Sequence, residues 1–144
     1  MRIKKFFLVF ILLTNIICSY AQTPSSCGDS KPNLTMQKSN LAIVIYSNDA
    51  ETVWNAFRLA SFALAQKDTV KIFLLGKGVD AENLSSEKFD VKKSMETFVA
   101  SGGEILACGT CLKIRNKEGT ALCPLSTMAD LYAIIKQSEK VVTF

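Results

Sequence analysis

Residues 41–46 read Leu-Ala-Ile-Val-Ile-Tyr, an unbroken apolar run rich in β-branched side chains. Such a run is typical of a strand that is covered on both faces of its sheet. A similar run over 70–75 predicts a second buried strand, which ends at Gly76-Lys77-Gly78. Two shorter apolar segments, 104–107 and 140–144, predict a third strand and a last one.

Apolar residues at helical spacing separate these strands. The first predicted helix follows Asn48-Asp49 and runs to about Gln66, with Asn48 and Glu51 as a plausible capping pair. Its predicted inward stripe contains Val53, Trp54, Phe57, Ala60, Ser61 and Leu64. A second helix is predicted over 91–101, stopped by Gly102-Gly103. Residues 79–90 are polar and indicate a loop or a short irregular helix.

Thr127 and Asp130 can cap a further helix before the last strand. The residues predicted to face inward from it are Met128, Leu131, Tyr132 and Ile135. Alternating strands and helices predict a small three-layer α/β/α sandwich with a mainly parallel sheet, formed by residues 41–144. In such sheets, ligands and reactive groups gather at the carboxyl edge of the strands.

The composition excludes several classes of function. The chain has 144 residues, 49% hydrophobic and 21% charged, which is typical of a globular protein. Its formal charge is +4, but Arg2, Lys4 and Lys5 lie in a segment that we expect to be removed. The remaining domain is nearly neutral, which argues against nucleic acid as a partner. Because the chain contains no histidine, Ser–His–Asp triads, Cys–His dyads and histidine metal sites are excluded. The five cysteines are therefore the main reactive groups.

The N-terminus is typical of a secretory signal. Three positive charges precede the apolar run 6–13, and small residues at Ser19 and Ala21 predict cleavage after Ala21. We therefore expect a signal peptide over 1–21, a polar linker over 22–40, and a periplasmic or secreted domain that meets the membrane only transiently, through the signal. An uncleaved anchor and a lipoprotein cut before Cys18 are the alternatives.

Three cysteines are the candidate catalytic residues. Cys108 follows the third strand directly, and Cys111 comes one helical turn later if Cys108-Gly-Thr-Cys111 begins a helix. Free N–H groups at a helix start favour a thiolate there, and two thiols at this spacing can form a redox pair. Cys123 precedes Pro124 in a segment that can return to the same edge of the sheet.

Structural roles for these thiols are the competing interpretation. In an oxidising compartment Cys27, Cys108, Cys111 and Cys123 can form two bridges, and the sequence allows three pairings. Four thiolates can also bind zinc, although the paired spacing of a zinc ribbon is absent. We expect neither a resident metal nor a bound cofactor.

Several segments together resemble the DsrE/DsrF-like family of sulfur-relay proteins. The resemblance covers most of residues 41–144 and depends on short motifs in a fixed order. They are Tyr46-Ser47-Asn48-Asp49, Leu74-Leu75-Gly76-Lys77-Gly78-Val79, Gly103-Glu-Ile-Leu-Ala-Cys108 with Arg115, Cys123-Pro-Leu-Ser-Thr-Met128 and Lys140-Val-Val-Thr-Phe144. The resemblance implies a three-layer α/β sandwich, assembly into homo-oligomers and a persulfide-carrying cysteine at Cys108.

Three functions remain open from the sequence. In the first, Cys108 accepts sulfane sulfur from a donor protein or small sulfur compound, and Cys111 resolves or protects the adduct. In the second, the same pair acts as a thiol–disulfide oxidoreductase. In the third, the domain is a non-catalytic module whose subunits pack through an exposed apolar helix face.

Overall fold

A computed structural model of the chain describes residues 37–144. The predicted signal peptide and most of the predicted linker lie outside these residues. The five strands are β1 (Asn40–Ile45), β2 (Thr69–Leu74), β3 (Glu104–Cys108), β4 (Leu125–Ser126) and β5 (Lys140–Thr143). The helices are α1 (Ala50–Ala65), α2 (Val91–Ala100), α3 (Gly109–Ile114) and α4 (Met128–Gln137), and Gly76–Asn83 forms a 3₁₀ segment after β2.

The five strands form one sheet in the order β4-β3-β2-β1-β5, and every pair is parallel. The predicted α/β architecture is confirmed. The central strand is β2, and its neighbour β1 has buried side chains from Leu41 to Ile45, as its apolar run predicts. All five strands end at the same edge, where β3 delivers Cys108 beside Ser126 of β4.

Helices cover both faces of the sheet unequally. Right-handed crossovers from β1 to β2 and from β2 to β3 place α1 and α2 on one face, and the return from β4 to β5 places α4 on the other. Phe57 of α1 and Phe98 of α2 are fully buried and meet edge to face, with ring centroids 5.8 Å apart. This contact holds the larger helical layer together.

The predicted inward face of α4 is wrong at three of its four residues. Leu131 is buried as predicted, but Met128, Tyr132 and Ile135 are exposed, and the second buried residue is Ile134. Because α4 lies on its face of the sheet without a neighbouring helix in the described part of the chain, only a narrow stripe at i and i+3 is covered. The capping prediction is confirmed, since the Thr127 and Asp130 side chains each accept from the other's backbone N–H.

The start of α1 also differs from the prediction. Its N-cap is Asp49, whose carboxylate accepts from the N–H of Thr52 at 2.8 Å, so Asn48 and Glu51 do not form the cap. Three residues of the predicted inward stripe are buried, namely Val53, Phe57 and Ala60. The other three are only half-buried, namely Trp54, Ser61 and Leu64, and the stripe also includes the buried Ala56 and Ala63. Across residues 37–144, no helix is both long and apolar enough to cross a membrane.

Candidate functional site

Cys108 ends β3 and is the N-cap residue of α3, so its side chain lies where a buried strand turns into a helix. The residue is only 3% exposed, and it lines a groove of about 1150 Å³ at the carboxyl edge of the sheet. The groove runs between the start of α3, the loop 116–120 and the segment 124–128. Cys108 thus lies at the end of the third strand, as predicted from the sequence.

Cys111 lies on the first turn of α3 and is half-buried. Its thiol lies near that of Cys108, and the backbone N–H of Gly76 donates to its Sγ at 3.2 Å. Gly76 has φ +57°, a left-handed conformation that suits glycine. Partial burial and the Cys108 thiol raise the pKa of Cys111, while the Gly76 N–H and the charge of Arg115 lower it, and the net direction is upward.

A cluster of three charged side chains contacts the backbone of Cys111 through Arg115; its other members are Asp80 and Lys117. The Arg115 guanidinium donates to the carbonyl oxygen of Cys111 at 3.2 Å, and its Nε lies 3.6 Å from the carboxylate of Asp80. The same carboxylate binds Nζ of Lys117 at 2.5 Å. Asp80 belongs to the 3₁₀ segment, so these contacts join that segment to the end of α3.

Cys123 occupies a different environment. It is buried, its N–H donates to the Thr120 hydroxyl at 3.0 Å, and it does not line the groove that contains Cys108. Burial, together with the nearby carboxylate of Glu82, raises the pKa of the Cys123 thiol to about 12. The structure thus brings Cys108 and Cys111 together, and places Cys123 where its thiol is held protonated.

Disulfide bridges and a zinc site are the structural roles that the sequence allows for the cysteines. Cys108, Cys111 and Cys123 are free thiols, and Cys27 lies outside the described part of the chain. Within residues 37–144, no group of three or more cysteine or carboxylate side chains is arranged to hold a metal ion. Cys108 and Cys111 are neighbours at the sheet edge, each as a free thiol.

Sequence reasoning missed two parts of the site. The Gly76 amide faces Cys111 across 35 residues of sequence, and Gly76-Lys77-Gly78 alone indicates only a turn. Asp80 lies in the segment that was ambiguous between loop and helix, and its pairing with Arg115 depends on how that segment folds. No local spacing predicts either contact.

Comparison with known proteins gives matches over the same region. The model of the DsrE/DsrF-like family matches residues 39–144. The uncharacterized protein MJ0989 of Methanocaldococcus jannaschii is 34% identical over 100 residues, which cover 65% of this chain and 88% of that protein. The uncharacterized protein MK0008 of Methanopyrus kandleri is 32% identical over 100 residues, which cover 65% of this chain and 83% of that protein.

A solved structure has the same fold. The crystal structure of the ychN protein from E. coli superimposes with a TM-score of 0.63 at 23% sequence identity, covering 76% of this chain and all of that one. The family match spans almost all of the described domain, including every strand and the three cysteines at or near the sheet edge. The chain therefore belongs to the DsrE/DsrF-like family.

Proposed function

We propose that the protein is a sulfur carrier in which Cys108 binds sulfane sulfur as a persulfide and Cys111 resolves it. Membership of the DsrE/DsrF-like family suggests a sulfur-relay role. The observation that carries the proposal is a cysteine that lines a groove at the sheet edge, with a second cysteine near it on the first turn of α3. A carrier needs a reachable sulfur for loading and a nearby nucleophile or acceptor for release.

Loading is a thiolate exchange at sulfur. The Cys108 thiolate attacks the outer sulfur of a donor persulfide, a new S–S bond forms on Cys108, and the donor leaves as its thiolate. The groove of about 1150 Å³ exceeds the volume of a small sulfur anion, so it can also admit part of a donor molecule. Lys113 lines this groove and favours negatively charged donors, whereas Lys117, which also lines it, is paired with Asp80, and Glu118 adds a negative charge to the lining.

Release can follow two routes. An acceptor thiolate can attack the outer sulfur, which takes up the sulfur and restores the Cys108 thiolate. Alternatively, Cys111 attacks the inner sulfur of the persulfide, so that a Cys108–Cys111 disulfide forms and the outer sulfur leaves as HS⁻. An external dithiol then reduces the disulfide and accepts the oxidising equivalents.

Mass spectrometry of the reduced protein after treatment with polysulfide or thiosulfate tests the proposal. We expect adducts of about 32 Da per sulfur atom in the native protein and their loss in Cys108→Ser. Cys111→Ser, which removes the resolving thiol, is expected to accumulate the adduct. Circular dichroism of Cys108→Ser and Cys108→Ala establishes that the variants are folded. A folded Cys108→Ser protein that still loads sulfur contradicts the proposal.

A thiol–disulfide oxidoreductase is the second candidate, favoured by the contact between the N-cap cysteine and the cysteine one turn later. The reduction potential of the pair separates these functions from a structural bridge. A potential well below about −300 mV indicates a structural bridge, whereas a more oxidising value fits exchange chemistry. Oxidoreductase activity without any sulfur adduct favours this second function.

We also propose that the domain acts outside the cytoplasm, after cleavage behind Ala21, and that it forms homo-oligomers. The charged and apolar pattern of the N-terminal sequence supports export. Exposed apolar side chains on α4, including Met128 and Tyr132, support contacts between subunits. The mass of the mature N-terminal peptide and the molar mass in solution test the two statements separately.

A further inference from the structure

We infer that Arg115 is a positioning residue for the release step, where it favours attack by Cys111, and that it has little part in loading Cys108. The inference rests on the proposed function and deepens it. Its basis is that Arg115 binds the backbone of Cys111 at 3.2 Å, on the side of α3 that faces the 3₁₀ segment.

Arg115 is held in place from two directions. Nη1 donates to the carbonyl oxygen of Cys111, and Nε lies 3.6 Å from the Asp80 carboxylate. The guanidinium side chain is 27% exposed and that of Asp80 is 24% exposed, so the charges are only partly screened by water. These two contacts fix the guanidinium beside the backbone of Cys111.

The release step requires the thiol of Cys111 to lose its proton. Its balanced form is Cys108–S–S⁻ plus Cys111–SH, giving a Cys108–Cys111 disulfide plus HS⁻. The bond between the two sulfurs on Cys108 breaks, a bond between the Cys108 and Cys111 Sγ atoms forms, and the Cys111 proton leaves with the sulfide. Because burial raises the pKa of Cys111, groups that favour its thiolate assist this step.

The groups around Cys111 give Arg115 this role. Gly76 supplies an N–H from the end of β2, and Cys108 supplies the neighbouring sulfur. The Gly76 N–H and, to a smaller extent, the charge of Arg115 lower the pKa of Cys111, and Asp80 pairs with both Arg115 and Lys117. Loading takes place at Cys108 in the groove, which Arg115 does not line.

The test compares both steps in Arg115→Met, Arg115→Lys and the native protein. Loading is measured as sulfur per protein after polysulfide treatment. Release is measured in a single turnover of purified, loaded protein, as sulfide and as loss of free thiol, over a range of pH. Arg58→Met is the matched control, because Arg58 stacks on Trp54 of α1, away from the site.

We expect Arg115→Met to load normally but to release sulfide about two- to fivefold more slowly at neutral pH. A thiol whose pKa rises has less thiolate, but each thiolate is more nucleophilic, which compensates for about half of the loss. The pH profile of release is expected to move to higher pH, and Arg115→Lys to recover part of the rate. Arg58→Met is expected to match the native protein in both steps.

The outcomes separate this inference from the proposed function. Normal loading with an unchanged release rate and pH profile in folded Arg115→Met overturns the inference and leaves the carrier function intact. Equal loss of loading and release also overturns it, because Arg115 then acts on the fold or on Cys108. Failure of the native protein to load any sulfur overturns the proposed function itself.

Discussion

Gly78 gives a stringent test of how the 3₁₀ segment is seated beside the cysteines. Its backbone packs against the end of β1, and a Cβ built on it would lie 2.0 Å from the carbonyl oxygen of Ile45 and 2.7 Å from the carbonyl carbon. Both atoms belong to the main chain of β1, an interior strand of the sheet, where a shift would disturb the pairing with β2. The clash that Gly78→Ala creates therefore cannot be relieved by rotating a side chain.

The magnitude follows from the required displacement. The Cβ is about 1 Å closer to the oxygen than real contacts allow, in an interior with little free volume. Overpacking usually costs about 1–3 kcal/mol, and the rigid obstacle places this substitution at the upper end, near 3 kcal/mol. The displaced segment would also carry Gly76, and with it the N–H that donates to Cys111.

Urea denaturation of Gly78→Ala and the native protein measures the free energy of unfolding. Lys77→Ala is the control, because this neighbouring side chain is exposed and its removal should change the stability by no more than about 0.5 kcal/mol. A Gly78→Ala protein within about 1 kcal/mol of native stability would refute the close packing described here.

Two further predictions concern charges near the site. Asp80→Asn removes the partner of Arg115 and Lys117, and it should lower the free energy of unfolding, measured in urea, by about 1 kcal/mol. Glu87 forms no salt bridge within residues 37–144, so Glu87→Gln is the control and should leave the stability unchanged. Equal effects of the two substitutions contradict the role of Asp80. Burial raises the pKa of Cys123 from 9.0 to about 12, so the folded state retains a proton that the unfolded state releases. The stability from this thiol is complete below pH 9 and is lost as pH rises, by up to about 1.4 kcal/mol per pH unit relative to Cys123→Ala; a parallel pH dependence of the two proteins contradicts it.

Much of the fold was predictable because its strong signals are local. The apolar runs that form β1 and β2 are long enough to identify buried strands, and the carboxyl-edge rule then locates Cys108. β4 has only two residues, Leu125 and Ser126, which is too short to produce a pattern. The covered side of α4 depends on which elements pack against it within residues 37–144, and its own sequence does not encode that packing.

The candidate site was predictable only in part. The spacing of Cys108 and Cys111 predicts their contact because both lie at the start of one helix. Their surroundings come from distant parts of the chain, since Gly76 and Asp80 meet α3 and its end through the folding of the 3₁₀ segment. Cys123 lies just before β4 in the chain, but this position does not predict its burial, which raises the pKa of its thiol.

Localising the sulfur adduct tests the central claim most directly. Trypsin leaves Cys108 and Cys111 together in the peptide 94–113 and Cys123 in the peptide 118–136. After loading with polysulfide and trapping with an alkylating reagent, fragmentation of these peptides assigns the added sulfur of about 32 Da to one residue. The account predicts that the sulfur is on Cys108; a stable adduct on Cys111 or Cys123 alone, or an unmodified peptide 94–113, contradicts it.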